Sequence, residues 1–124
     1  MYELMVEGWF SAAHFLRNYK GKCEKLHGHN WKVQAFIRVA ELKKSGIGID
    51  FKILKSYLNN ILNEFDHTLI NEHRFFKKLS PSSENLAYYI FDRLVQKLNS
   101  SQVIIHCVSV WESNTSSATY FVKE

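Results

Sequence analysis

The run from Cys23 to Ala40 constrains the fold of this chain more than any other segment. From His29 to Ala40, the residues Trp31, Val33, Ala35, Ile37 and Val39 alternate with Lys32, Gln34, Phe36 and Arg38. A period of two sustained over this length predicts a half-buried β-strand. The head of the run, Cys23-Glu24-Lys25-Leu26-His27-Gly28-His29, places one thiol and two imidazoles within seven residues. His27 and His29 are two apart, so in extended backbone their side chains leave from one face. That pair is a good half-site for a borderline divalent metal such as zinc. Gly28 between them is expected to remove a side chain where backbone approaches a metal or substrate.

The rest of the chain supplies elements that fit around this strand. Residues 2–16 carry Tyr2, Leu4, Val6, Trp9, Phe10 and Phe15 and predict a first strand, with Gly8 marking a bulge or a close backbone approach. Residues 17–26 are a basic loop, so the two strands are expected to pair antiparallel with the histidines at the loop end. Glu41 to Asp50 contains Gly46 and Gly48 and predicts a turn. Asp50 is a good N-cap for a helix whose apolar stripe is Phe51, Leu54, Leu58, Ile61, Leu62 and Phe65. Residues 66–80 are irregular. Pro81-Ser82-Ser83-Glu84 opens a second helix with Leu86, Ile90, Leu94 and Leu98 on its apolar face. Residues 103–110 and 118–122 predict two more strands around a polar turn at Ser113–Ser117. The order β-β-α-α-β-β gives an α+β fold: a four-stranded antiparallel sheet with two helices on one face.

Length and composition limit the alternatives. At 124 residues one domain is expected, spanning residues 1–124. With 15% aromatic residues the chain has more than a core of this size needs, which points to a subunit interface. The net charge of +4 suits an anionic ligand, but no block of five lysines or arginines occurs, which argues against nucleic acid as partner. No apolar run approaches 18 residues, so no membrane-spanning helix is expected. Two cysteines and no leader-like N-terminus favour a reducing cytoplasm.

Several residues have the chemistry of a site. With His14, the His27–His29 pair becomes a three-histidine set, which leaves a tetrahedral metal one open position. Cys23 either closes that position, stands beside it as a base or nucleophile favoured by Lys22, Lys25 and a dication, or is an inert loop thiol. If it closes the site, the protein is a zinc-stabilised binding module without chemistry. Asp66-His67 is either a carboxylate–imidazole proton shuttle, which requires loop backbone, or a helix C-terminus with a favourable histidine. Glu112 is either an exposed strand-end charge or a carboxylate able to take two parallel hydrogen bonds from a guanidine-like ring edge. Cys107 lies in an apolar strand and is expected to be a buried core thiol. His73 and His106 are expected to be structural or surface residues.

These pieces occur together in one family. Phe-Ser-Ala-Ala-His (10–14), Cys-x-x-x-His-Gly-His (23–29), Asp-Phe (50–51), Asp-His (66–67), Pro-Ser-Ser-Glu-Asn (81–85) and Trp-Glu-Ser (111–113) stand in the order seen in 6-pyruvoyltetrahydropterin synthases. The chain resembles that family from first strand to last, and within it the 6-carboxytetrahydropterin synthases. The resemblance implies the tunnelling fold (T-fold), with trimers forming a β-barrel and two trimers stacking into a hexamer. It implies zinc on His14, His27 and His29, and Cys23 as the proton-abstracting residue. Asp66 and His67 would complete a proton-transfer triad across a subunit interface. Glu112 would anchor a pterin ring, with Ser82, Ser83 and Glu84 nearby. The implied substrate is 7,8-dihydroneopterin triphosphate, its phosphates facing the basic loop 17–25. The product would be 6-carboxytetrahydropterin, on the route to 7-deazaguanines such as queuosine. The pyruvoyl branch, which feeds biopterin, shares nearly all of these residues. Members with glutamate in place of the cysteine make a different product, and Cys23 argues against that group.

Overall fold

A computed structural model describes residues 1–123. Its sheet has five strands: β1 (Tyr2–His14), β2 (His27–Val39), β3 (Thr68–Leu69), β4 (Val103–Ser113) and β5 (Ser116–Phe121), in the spatial order β3-β1-β2-β4-β5. β1 and β2 pair antiparallel without interruption from Tyr2↔Val39 to His14↔His27. The alternation in the second strand therefore sets the register of the whole hairpin, because one residue of slip would turn its apolar set to the other face. Val6, Phe10 and Ala12 of β1 lie on the same inner face as Trp31, Val33, Ala35 and Ile37 of β2, and all are buried. Val108 and Val110 extend that face on β4.

Two helices cover it. Helix α1 (Phe51–Leu62) starts where Asp50 accepts the Lys52 backbone N–H at 2.8 Å, as an N-cap should. It buries Leu54, Leu58, Ile61 and Leu62 against β1. Gly8 is required here: a Cβ at that position would stand 2.7 Å from Leu62 Cδ1 and 2.9 Å from Asn59 Oδ1. Gly8 thus marks a close approach of helix to strand and not a bulge. Helix α2 (Ser83–Leu98) is capped by Ser82, whose hydroxyl accepts the Asn85 N–H at 3.1 Å, and it packs on β4 and β5.

The architecture is α+β as expected, with one strand more than the four predicted. The addition is β3, two residues that run parallel to β1 opposite Ala12 and Ala13. It is too short to leave a periodic signal. The first strand ends at His14 and not at residue 16, and the second begins at His27, so all three histidines lie within strands. Cys107 departs from expectation. It pairs with Phe36 on the helix-free face and is half-buried, not a core thiol, and that partial burial pushes its pKa up. No helix among the described residues is long and apolar enough to cross a membrane.

Candidate metal centre

The end of the β1–β2 hairpin gathers the three histidines. His14 and His27 are direct cross-strand partners, and His29 faces Ala12 one pleat further in. All three project to the inner face, and their candidate ligand atoms lie within 4.8 Å of one another. Trp31, the next inward residue of β2, forms the floor. Its ring meets those of His14 and His29 edge-on at 4.8 and 5.0 Å, and it stacks on Phe10 at 5.7 Å. The Trp31 indole N–H donates to the Ala12 carbonyl at 3.3 Å. Nothing in the spacing of histidines points to this tryptophan; its inner-face parity two residues after His29 is the only signal.

Hydrogen bonding identifies the tautomers. His14 Nδ1 donates to the Pro81 carbonyl at 2.7 Å and His27 Nδ1 donates to the Lys25 carbonyl at 2.8 Å. A carbonyl only accepts, so both Nδ1 atoms carry the proton and both Nε2 atoms present lone pairs. Those two Nε2 atoms are 3.0 Å apart. Two lone pairs at that distance repel unless a proton or a cation stands between them. Burial holds the His14 imidazole below its usual 6.5, only partly offset by the Pro81 carbonyl, and burial likewise lowers His29. Burial thus disfavours the protonated form of His14 and of His29. His29 Nε2 is buried with no hydrogen-bond partner among the described residues; a carboxylate oxygen of Glu112 is 3.9 Å away. Backbone-oriented imidazoles converging with unshared lone pairs are what a divalent metal needs. Nitrogens bound to one tetrahedral zinc stand roughly 3.3 Å apart, close to what the His14–His27 pair already provides. The three histidines fit a metal ion.

A cleft of about 250 Å³ opens beside this cluster. His14, Ser82, Ser83, Glu84 and Glu112 line it together with the β5 residues Ser116, Ser117 and Ala118. The Ser82 hydroxyl is already engaged in capping α2. A larger hollow of about 580 Å³ lies at the far end of the sheet, around Phe91, Ile104, His106 and Phe121, away from His14, His27 and His29. Chemistry favours the smaller one, where carboxylates and hydroxyls converge next to a metal-ligand set.

The other candidates sit apart. Cys23 is exposed in the β1–β2 loop and is not one of the clustered ligands. Asp66 and His67 follow α1 on the outer edge of β1. Ser11 N–H donates to Asp66 Oδ1 at 2.9 Å, and His67 N–H donates to the Ser11 carbonyl at 2.6 Å. His67 has φ of 58°, the left-handed region, and its Nε2 is 3.6 Å from Asp66 Oδ2. The backbone is a turn there, as a carboxylate–imidazole pair requires. Among the described residues no hydrogen bond joins Cys23 to either one.

No atom of the described residues demands glycine at Gly28, since a Cβ there would meet the Ala12 carbonyl at an ordinary 3.6 Å. One expectation about this region changes. Arg17 is not a free cation of the basic loop: its guanidinium donates to the carbonyls of Phe76, Leu79 and Asn71. Lys20, Lys22 and Lys25 remain. His73 and His106 are structural as expected, but each has charged partners, Glu64 for the first and Glu3 with Arg38 for the second.

A helix-backed, mostly antiparallel sheet with a three-histidine cluster at one end and a carboxylate-lined cleft beside it defines a T-fold protein with a cluster that could hold a metal ion. Residues 3–123 match the family model described as 6-pyruvoyl tetrahydropterin synthase, and the chain belongs to that family. It is 34% identical to the 6-carboxy-5,6,7,8-tetrahydropterin synthase of Synechocystis, over 98% of this chain and 94% of the relative. It is 32% identical to the enzyme of that name from Bacillus subtilis, over 99% and 87%. The solved structure of Caenorhabditis elegans 6-pyruvoyl tetrahydropterin synthase superposes with a TM-score of 0.83 at 25% identity, covering 98% of this chain and 96% of the other.

Proposed function

We propose that this protein is a zinc-dependent 6-carboxy-5,6,7,8-tetrahydropterin synthase. It would convert 7,8-dihydroneopterin triphosphate and water to 6-carboxytetrahydropterin, acetaldehyde and triphosphate on the route to 7-deazaguanines. The observation that carries this is the convergence of unshared imidazole lone pairs on His14 and His27 beside a cleft that holds Glu112. The names of the Synechocystis and Bacillus relatives support the carboxy branch.

His14, His27 and His29 would hold a zinc ion, with the carbonyls of Pro81 and Lys25 fixing two of the rings. When bound, the metal would supply Lewis-acid polarisation of the substrate's side-chain oxygens and make the neighbouring C–H more acidic. Glu112 accepts two N–H groups from the pterin edge, which fixes the ring in the cleft. Ser83 and Glu84 border the same space, and Ser82 serves there chiefly as the cap that shapes it. Cys23 acts as the base that takes the proton, and Asp66 orients His67 to pass it on. In the hexamer of two stacked trimers that the family resemblance implies, Asp66 and His67 would serve a neighbouring subunit's site, and their place apart from this chain's three histidines is compatible with that. Lys20, Lys22 and Lys25 attract the triphosphate.

Incubating the zinc-loaded protein with 7,8-dihydroneopterin triphosphate and weighing the product tests the proposal. The similarity to pyruvoyl enzymes of solved structure keeps 6-pyruvoyltetrahydropterin as the second expected mass.

A further inference from the structure

Asn71 is polar yet only 5% exposed, and both ends of its amide bind one residue. Phe15 N–H donates to Asn71 Oδ1 at 3.0 Å, and Asn71 Nδ2 donates to the Phe15 carbonyl at 3.0 Å. These are the two bonds a neighbouring strand would give Phe15. The chain cannot give them with backbone, because it has already turned into a 3-10 turn at Ile70–Glu72.

The same segment grips β1 further back. Asp66 and His67 bind both polar groups of the Ser11 backbone, and Thr68 and Leu69 pair with Ala12 and Ala13. One ladder therefore runs from Ser11 to Phe15 on one side and from Asp66 to Asn71 on the other, and Asn71 is its last rung. His14 lies one residue from that rung. His67, at the other end, keeps a left-handed backbone that a non-glycine residue holds only when its surroundings impose it.

We infer that Asn71 is a positioning residue, holding the metal ligand His14 and the Asp66–His67 pair in one register. The inference rests on the roles proposed above for those residues. Asn71 touches neither substrate nor metal; it acts through the Phe15 backbone. Arg17 braces it, donating to the Asn71 carbonyl at 3.4 Å.

The test compares Asn71→Leu, which removes both bonds at similar volume, with Asn71→Asp, which keeps only the acceptor. Amide hydrogen exchange, zinc affinity by chelator competition, and steady-state kinetics are measured on the full chain. In Asn71→Leu, exchange at residues 11–15 and 66–69 should quicken about tenfold, the scale of one or two lost neutral hydrogen bonds. β2 and β4 should keep their protection. Zinc should bind about tenfold more weakly, as when a supporting residue of a metal ligand is lost. kcat should fall with KM held within about twofold. Asn71→Asp should show the same pattern, weaker, and it serves alone if the leucine variant does not fold. Ile90→Val in α2, a plain core substitution, should leave zinc affinity and kcat native. Unchanged exchange at 66–69 with unchanged zinc affinity would overturn the inference, as would exchange that quickens uniformly across the sheet. If the native protein ignores the pterin triphosphate, only the function proposed above fails; exchange and zinc affinity still decide Asn71.

Discussion

His14 and His27 meet across the β1–β2 hairpin with their Nε2 atoms 3.0 Å apart, and each has its Nδ1 proton bound to a backbone carbonyl. The His14 ring cannot turn away without leaving a buried donor unpaired, whereas the His27 bond lies at the surface. The arrangement could hold a cation, and His29, whose Nε2 has no hydrogen-bond partner among the described residues, adds a third donor. The first prediction follows from this. His27→Ala should lose bound zinc and turnover together. Stripping the native protein with a chelator should abolish turnover and lower Tm, and both should return on adding zinc. Metal analysis and calorimetry on the same samples check it.

Cys23 is exposed and outside the ligand cluster. Cys23→Ala should keep a full complement of zinc and lose roughly 10²- to 10⁴-fold in kcat, the range of a positioned acid–base group. The cobalt-substituted native protein should show no thiolate-to-cobalt charge-transfer band. Such a band would mean a closed Cys23–His₃ site and favour the non-catalytic binding module.

Glu112 lines the cleft while its carboxylate stops 3.9 Å short of His29. Glu112→Gln should therefore leave zinc in place and weaken substrate binding. Two charge-assisted hydrogen bonds at ~1.5–3 kcal/mol each make the expected loss at least tenfold. Calorimetric titration with a pterin lacking the phosphates isolates this contact.

Glu64 sits at the centre of a second polar cluster. Its Oε1 accepts from Tyr89 at 2.6 Å and from His73 at 2.9 Å, and its Oε2 accepts from Arg93 at 2.9 Å. Burial raises the Glu64 pKa, but these partners outweigh it and bring the carboxyl below its usual 4.5. The folded pKa is thus lower than the unfolded one, so the stability Glu64 contributes is complete above pH 4.5 and is lost as pH falls through the folded value. Glu64→Gln should lower Tm at neutral pH and flatten the acid limb of the Tm–pH curve. Burial and the same carboxylate push Tyr89 up to about 12, so its share is present below pH 10 and is lost as pH rises through about 12. Tyr89→Phe should remove that alkaline loss. Scanning calorimetry across pH reads both limbs.

These side chains also mark the boundary of what the sequence discloses. The alternation from Trp31 to Val39, the Asp50 and Ser82 caps, and the apolar stripes of α1 and α2 are local, and each has a periodic or positional signal. So do His14, His27 and His29, because strand pairing with a two-residue period brings them to one face. β3 has no such signal. It exists because Asp66 and Asn71 add side-chain rungs to two backbone pairs. The carbonyls of Lys25 and Pro81 that orient the histidines are equally silent, since every residue has a carbonyl and Pro81 lies 67 positions from His14. Arg17 read as a free loop cation because carbonyl acceptors from residues 71–79 cannot be foreseen in composition.

If the three-histidine site serves pterin chemistry, its product reveals it. The most direct measurement is mass spectrometry of the product formed when purified, zinc-loaded protein meets 7,8-dihydroneopterin triphosphate. The expected result is 6-carboxytetrahydropterin with acetaldehyde and triphosphate released. A pyruvoyl product would contradict the branch, and a folded, zinc-loaded protein that returns the substrate unchanged would contradict the function itself.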